Sequence, residues 1–386
     1  VRAYRDLLRV PEYVPFFLAF SGHSVAQAVS GLALGTATYA ATGSPLLSAV
    51  ALSGPALAQV LGAATLMSAA DRLPPRAALT GLALLCAAGT AVQAAPGTPV
   101  WAVLGVLLVL GLAGSVGGGV RYGLLREIVD RDGYLLARSA LAVAAGVTQV
   151  VGFALGGALV GALTPHGALG VGAVLHLLSA GVTRVVLSRR VPRGVERASV
   201  AGTWRANGEL WADRRRRAVL LASWVPNGLV VGCESLYVAY DPGHAGALFA
   251  AAALGMLVGD TVVGRFVPPH RRARLVVPLC ALLAAPHLLL WARPPLPVAV
   301  AAVLVATVGY GSGLLLQERL LHLTPPGSSG HALGLQSAGM LTGQGLGAVV
   351  AGSVAEATTP ATGIVAAAAA SLAVTAALAR HLRPAA

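Results

Sequence analysis

Lysine is absent from this 386-residue chain, and all 27 of its basic residues are arginines. Charge of either sign is scarce, at 11% of residues, and aromatic side chains make up only 5%. No basic surface interleaved with aromatics is available for stacking bases, so nucleic-acid binding is set aside. The three cysteines, Cys86, Cys233 and Cys280, lie apart from one another inside apolar runs. They are too few and too scattered for a disulfide framework or a thiolate metal site, and read as small packing residues. No two histidines and carboxylates share metal-ligand spacing within one helix, so neither a metal nor another cofactor is expected. Nucleophile–base pairings and phosphate-binding glycine loops are missing too, which argues against an enzyme.

What remains is apolar. Hydrophobic residues account for 56% of the chain and the mean hydropathy is +0.77, values of a polytopic membrane protein. Twelve runs are long enough to cross the hydrocarbon, beginning near Tyr13, Pro45, Ala77, Val100, Ser139, Gly167, Ala218, Ala245, Leu275, Leu296, Ala332 and Thr359. The first is too long for a signal-peptide core and lacks a small-residue cleavage site, so it is expected to stay as a spanning helix. Connections alternate in character. One set, including Gly43-Ser44, Pro96-Gly97-Thr98-Pro99, Pro165-His166 and Pro242-Gly243, is short and almost uncharged, while the other carries nearly every arginine. Positive charge is retained in the cytoplasm, so both termini are expected inside, with Arg293 the one arginine outside. Trp101 and Trp291 then fall at outer interfaces, where indoles anchor. The formal charge of +13 finds its partner in anionic lipid headgroups, and the chain reads as a multi-pass protein of a bacterial cytoplasmic membrane.

The chain also repeats itself. Asp71-Arg72-Leu73-Pro74-Pro75-Arg76 returns, altered, as Gly264-Arg265-Phe266-Val267-Pro268-Pro269-His270-Arg271, with Arg265 lying 193 residues after Arg72. Gln149 and Gln344 are separated by 195 residues, and Glu127 and Glu318 by 191, so the offset is nearly constant. The expectation is an all-α integral membrane protein of two pseudo-symmetric six-helix bundles, residues 1–188 and 218–386. Between them, residues 189–217 form a basic linker containing Arg189, Arg190, Arg193, Arg197, Arg205 and the run from Arg214 to Arg217. Trp204 and Trp211, seven apart, share one side of a short amphipathic helix, with a disordered basic tether as the alternative. Small residues mark close helix contacts at Gly152, Gly156, Gly157 and Gly161 in helix five and at Gly343, Gly347 and Gly352 in helix eleven.

Twelve helices in two halves, with the Asp71-Arg72-x-x-x-Arg76 turn after helix two, resemble the major facilitator superfamily of secondary transporters. Met67 and Pro74 stand where that family's signature loop usually has glycine. The stretch Gly152-Phe153-Ala154-Leu155-Gly156-Gly157 is similar to a pattern of drug:proton antiporters, with Phe153 in place of proline. The region from Leu124 to Gly161 resembles the macrolide-type and siderophore-type exporters of the superfamily. The resemblance implies a monomer whose Asp71 latches the outward-facing state and whose helix one lines a central cavity.

The charged and polar residues within the spans are the candidate sites. Asp71, with Arg72 and Arg76, can form the latch or a static surface ion pair. Arg121 either joins that cluster or snorkels to lipid phosphate. Asp260, five residues before Arg265, falls in the second copy of the signature region and reads as a second latch, with a proton site the lesser reading. Glu234 lies about 25 Å along helix seven, on a polar stripe with Ser223, Asn227 and Tyr237. An isolated carboxylate in hydrocarbon takes up a proton, so Glu234 is a candidate for proton coupling or substrate contact, against a gate or interface role. His23, Gln27 and Ser30 share a face of helix one, where His23 can bind substrate, titrate or simply pack; His176 and His287 read as packing residues. These features suit proton-coupled efflux of a hydrophobic or amphiphilic small molecule by alternating access. Import or facilitated passage of a small metabolite is the alternative, and a non-transporting membrane sensor is a third.

Overall fold

The computed structural model describes residues 4–129, 133–190, 200–325 and 328–382; the side chains of residues 4, 63–72, 135, 200–204 and 206 are likewise outside the description. Among the described residues there is no strand, and twelve helices are long and apolar enough to cross a membrane. They are α1 (Tyr13–Thr42), α2 (Pro45–Arg72), α3 (Pro75–Ala94), α4 (Val100–Ile128), α5 (Tyr134–Ala162) and α6 (Pro165–Val186). The second set is α7 (Arg214–Tyr240), α8 (Ala245–Phe266), α9 (Pro269–Ala292), α10 (Leu296–His322), α11 (Ser329–Ala357) and α12 (Pro360–Leu382).

Local chemistry explains their ends. Proline opens α2, α3, α6, α9 and α12, where a missing N–H costs nothing. The Thr164 hydroxyl accepts from the Gly167 N–H at 3.0 Å to cap α6, and an Asp213 carboxylate oxygen accepts from the Arg216 N–H at 2.7 Å to cap α7. Pro55 in α2, Pro226 in α7 and Pro278 in α9 each withhold one helical N–H, an interruption that spanning helices tolerate.

The chain divides into two compact units, Val1–Ala40 with Ala58–Arg197, and Ala41–Leu57 with Ala198–Ala386. In the first unit α3 packs along α6, and Leu7, Tyr13, Phe16, Leu124, Leu125, Val129, Ala137, Leu141 and Leu187 close an apolar core. In the second unit α7 packs along α11 and α12, and α8 along α10. The opening half of α2 belongs to this second unit: the Ser44 hydroxyl donates to Glu356 Oε2 at 2.7 Å and accepts from the Leu47 N–H at 3.1 Å. One carboxylate thereby completes the N-terminus of α2, where the helix dipole favours negative charge.

Part of the linker is helical, over Val200–Ala212. It docks on the second unit: Trp211 stacks on Trp224 with ring centroids 5.6 Å apart, Leu210 is buried beside Val219 and Leu220, and His331 Nε2 bonds Asn207 Oδ1 at 2.7 Å. Arg193, Arg197 and the side chain of Trp204 lie outside the described residues.

Candidate functional site

The second unit holds a polar row fanned across three helices. On α7, Ser223 and Asn227 face α11, where Gln336 Nε2 donates to Ser223 Oγ at 3.1 Å and Gln344 Nε2 donates to Asn227 Oδ1 at 3.0 Å. Further along, Glu234 faces α10, and the Tyr310 hydroxyl donates to its Oε1 at 2.9 Å. Tyr237 turns toward α9: its hydroxyl lies 2.8 Å from His287 Nε2, both side chains are wholly buried, and the rings stack.

Breaks in regular helix aim these groups. Tyr310 sits in a one-turn 3-10 segment, Gly309–Gly311, that interrupts α10. A Cβ at Gly309 would lie 2.5 Å from the Leu279 carbonyl oxygen, and one at Gly311 would lie 2.8 Å from that of Gly259. Glycine on both sides therefore lets α10 press against α9 and α8 while the tyrosine between them reaches Glu234. Among the described residues no cation lies within ion-pair distance of Glu234, so its one hydrogen-bonding partner there is a neutral hydroxyl.

The first unit holds a small cavity between α1, α3, α4 and α6, lined by residues that include Phe16, Phe20, His23, Leu82, Arg121 and Ser179. Arg121 lies over the ring of Phe20, 4.8 Å from its centroid, so this arginine turns into the bundle rather than out to lipid. The His23 ring packs against that of His176 at 5.2 Å. Gln27 is exposed, and Ser30 is buried with no hydrogen-bond partner among the described residues.

Among the described residues no ion pair joins any two of the remaining charged candidates. The side chains of Asp71 and Arg72 lie outside the described residues. Arg76 is half-buried with Arg184 and Arg189 as electrostatic neighbours. Asp260 and Arg265 are both exposed, and no ion pair joins them among the described residues. The ion pairs that do form involve other residues. Arg272 Nη1 lies 3.1 Å from Glu318 Oε2. In the first unit Arg190 bridges Glu12 and Glu127, its Nε lying 3.2 Å from Glu127 Oε2. Burial opposes ionisation of Glu12, yet hydrogen bonds from Ser188 and Arg190 prevail and hold its carboxyl below the usual 4.5.

The glycine positions sort by direction. Gly152 and Gly156 press on α1, where a Cβ on Gly152 would lie 2.6 Å from Ala28 Cβ. Gly157 is half-buried on the same helix. Gly343 and Gly347 press on α7, and a Cβ on Gly232 would reach 2.5 Å from the Gly347 carbonyl oxygen. Gly352 faces Leu46 and Ala49 instead. Sequence reasoning missed Tyr310 and Gln336, and it treated His176 and His287 only as packing residues. The Gly-Tyr-Gly triplet within an apolar run was the available signal.

The architecture has counterparts. Residues 16–315 match the model of the Major Facilitator Superfamily, and the chain belongs to that superfamily. It is accordingly a multi-pass membrane transporter with a small-molecule substrate. No curated protein matches it in sequence. Among solved structures it is similar to a point mutant of the nucleoside transporter NupG, with a TM-score of 0.77 at 16% identity over 95% of this chain and 99% of that one. A bacterial homologue of the human lysosomal transporter Spinster gives 0.71 at 14% identity, covering 98% and 97%. The human organic anion transporter MFSD10 gives 0.63 at 17% identity, covering 95% and 99%. At these identities the likeness is one of fold.

Proposed function

We propose that the chain is a proton-coupled exporter of a hydrophobic or amphiphilic small molecule, working by alternating access, with Glu234 as the group that carries the coupling proton. The observation that supports this reading is the partner of Glu234. A structural intramembrane carboxylate would be expected to face a cation, since breaking or omitting such a pairing leaves a costly buried charge. The carboxylate faces the hydroxyl of Tyr310 instead. That hydroxyl can donate to an ionised carboxylate and can equally turn to accept from a protonated one, so the site accommodates both states without losing its contact. Asn227 and Tyr237, on the same helix, are proposed as substrate contacts of the second unit, and His23 and Gln27, on α1, as substrate contacts of the first. Asp71, Arg72, Arg76, Asp260 and Arg265 are proposed as conformational latches at the cytoplasmic ends of their helices.

The test is accumulation of lipophilic antibiotics and dyes in inverted vesicles, with and without an inward-acid pH gradient. Wild type should concentrate at least one compound in a gradient-dependent way, and Glu234→Gln should abolish the gradient dependence. Survival of coupling in Glu234→Gln would remove Glu234 from the role. Gradient-dependent movement of polar metabolites out of the same vesicles, with no drug accumulation, would replace export with import.

A further inference from the structure

The cavity of the first unit carries a positive charge that no carboxylate matches among the described residues. Arg121 lies seven residues before the end of α4, about 10 Å inside that end at the helical rise per residue. Its contacts are the face of Phe20 and the electrostatic neighbours Tyr122 and Cys86. Among the described residues no carboxylate lies within ion-pair distance of it, and Glu12 and Glu127 are both engaged with Arg190. An arginine held inside a bundle without a counter-ion costs several kcal/mol of lost hydration on an order-of-magnitude basis. Two imidazoles lie beside it: His176 is fully buried with neither ring nitrogen hydrogen-bonded, and it packs on His23, which lines the cavity.

The hydroxyls on the wall cannot act as donors to a guest. Ser179 Oγ already donates to the Ala19 carbonyl at 3.0 Å, and Thr183 Oγ1 to the Ser179 carbonyl at 2.8 Å. Arg121 and His23 are left as the donors that face the space. That space has a free volume of about 30 Å³. It holds one compact head group and leaves the rest of any ligand outside.

We propose that this cavity is an anion subsite, taking the oxyanion head of an amphiphile, a carboxylate or phosphate, against Arg121, with His23 as second donor and Phe16, Leu79 and Leu82 along the start of its tail. The proposal rests on the transport reading above and narrows the substrate class from amphiphile to amphiphilic anion. The head group could belong to a free amphiphile or to an anionic lipid, and the two are separable by experiment.

The measurement is equilibrium binding to the full chain in phosphatidylcholine nanodiscs, at neutral pH and without a gradient, using dodecanoate and dodecanol as probes. Dodecanoate should bind at least tenfold more tightly than dodecanol. Arg121→Gln should remove that preference, and Arg121→Lys should keep most of it. If Arg121→Gln does not fold, Leu82→Trp, which fills the cavity with Arg121 in place, should weaken dodecanoate binding by the same factor. Competition by added phosphatidylglycerol would assign the site to a lipid headgroup, and its failure to compete would assign it to a free amphiphile; either supports the anion subsite. Equal binding of the two probes, or a preference that survives both Arg121→Gln and Leu82→Trp, would overturn it. Binding needs no proton gradient, so failure here leaves coupled transport standing, and failure of coupling leaves the subsite standing.

Discussion

At the scale of single residues, placement decides what a charge can do. Glu234 and Arg121 have opposite signs, yet both are held within spans by neutral partners, a tyrosine hydroxyl and a phenylalanine ring. Glu12 shows the contrary case. It lies just before α1, receives hydrogen bonds from the Ser188 N–H at 2.6 Å and from Arg190, and is held ionised. An acid whose folded-state pKa is depressed stabilises the fold above its unfolded value and loses that contribution as pH falls through the folded one. Glu12→Gln should therefore lower the thermal midpoint in detergent at pH 7. The gap to wild type should close as pH drops below 4.5. Hydrogen bonds to charged groups, worth about 1.5–3 kcal/mol each, set the scale of the loss at pH 7. A gap that stayed constant down to pH 3 would show that Glu12 contributes by packing and not by charge.

At the scale of elements, close approach is the organising fact. The α7 and α11 backbones meet at Gly228, Gly232, Gly343 and Gly347, with no side chain between them. Van der Waals contact between backbones is the main adhesion available when lipid is as apolar as the helix surface. A methyl group at Gly347 has no room, because the Gly228 carbonyl occupies its position, whereas a methyl group at Gly161 meets nothing within 4 Å. Gly347→Ala should therefore destabilise by about 1–3 kcal/mol or force the helices apart. Gly161→Ala should be neutral or stabilising by up to about 1 kcal/mol through helix propensity. Midpoints of thermal unfolding in one detergent compare the two directly, and equal effects would contradict the packing described.

At the scale of the whole molecule, the arginine distribution sets an expected orientation that chemistry can read. Cys86, Cys233 and Cys280 are all buried, so they leave a quiet background for thiol labelling. Gly243 is exposed in the connection before α8, and Arg271 is exposed in the first turn of α9, beyond the other end of α8. With a membrane-impermeant maleimide, Gly243→Cys should label in intact cells and Arg271→Cys only after permeabilisation; the reverse pattern would invert the topology. Much of this level was legible in the sequence. Twelve spans, two halves and the arginine bias follow from the length of apolar runs and the residues between them, and the membrane makes those local properties decisive. The polar stripe of α7 was legible as well, because 3.6-residue periodicity places Ser223, Asn227 and Glu234 together. What each of them touches was not. Tyr310 is 76 residues from Glu234, and His287 is 50 from Tyr237. These meetings depend on how far each helix is rotated about its axis, which packing against several neighbours sets and no single run of sequence records. The same holds for Arg121, where only the tertiary structure decides between lipid and a cavity, and for the first half of α2, which joins the second unit through Ser44 and Glu356.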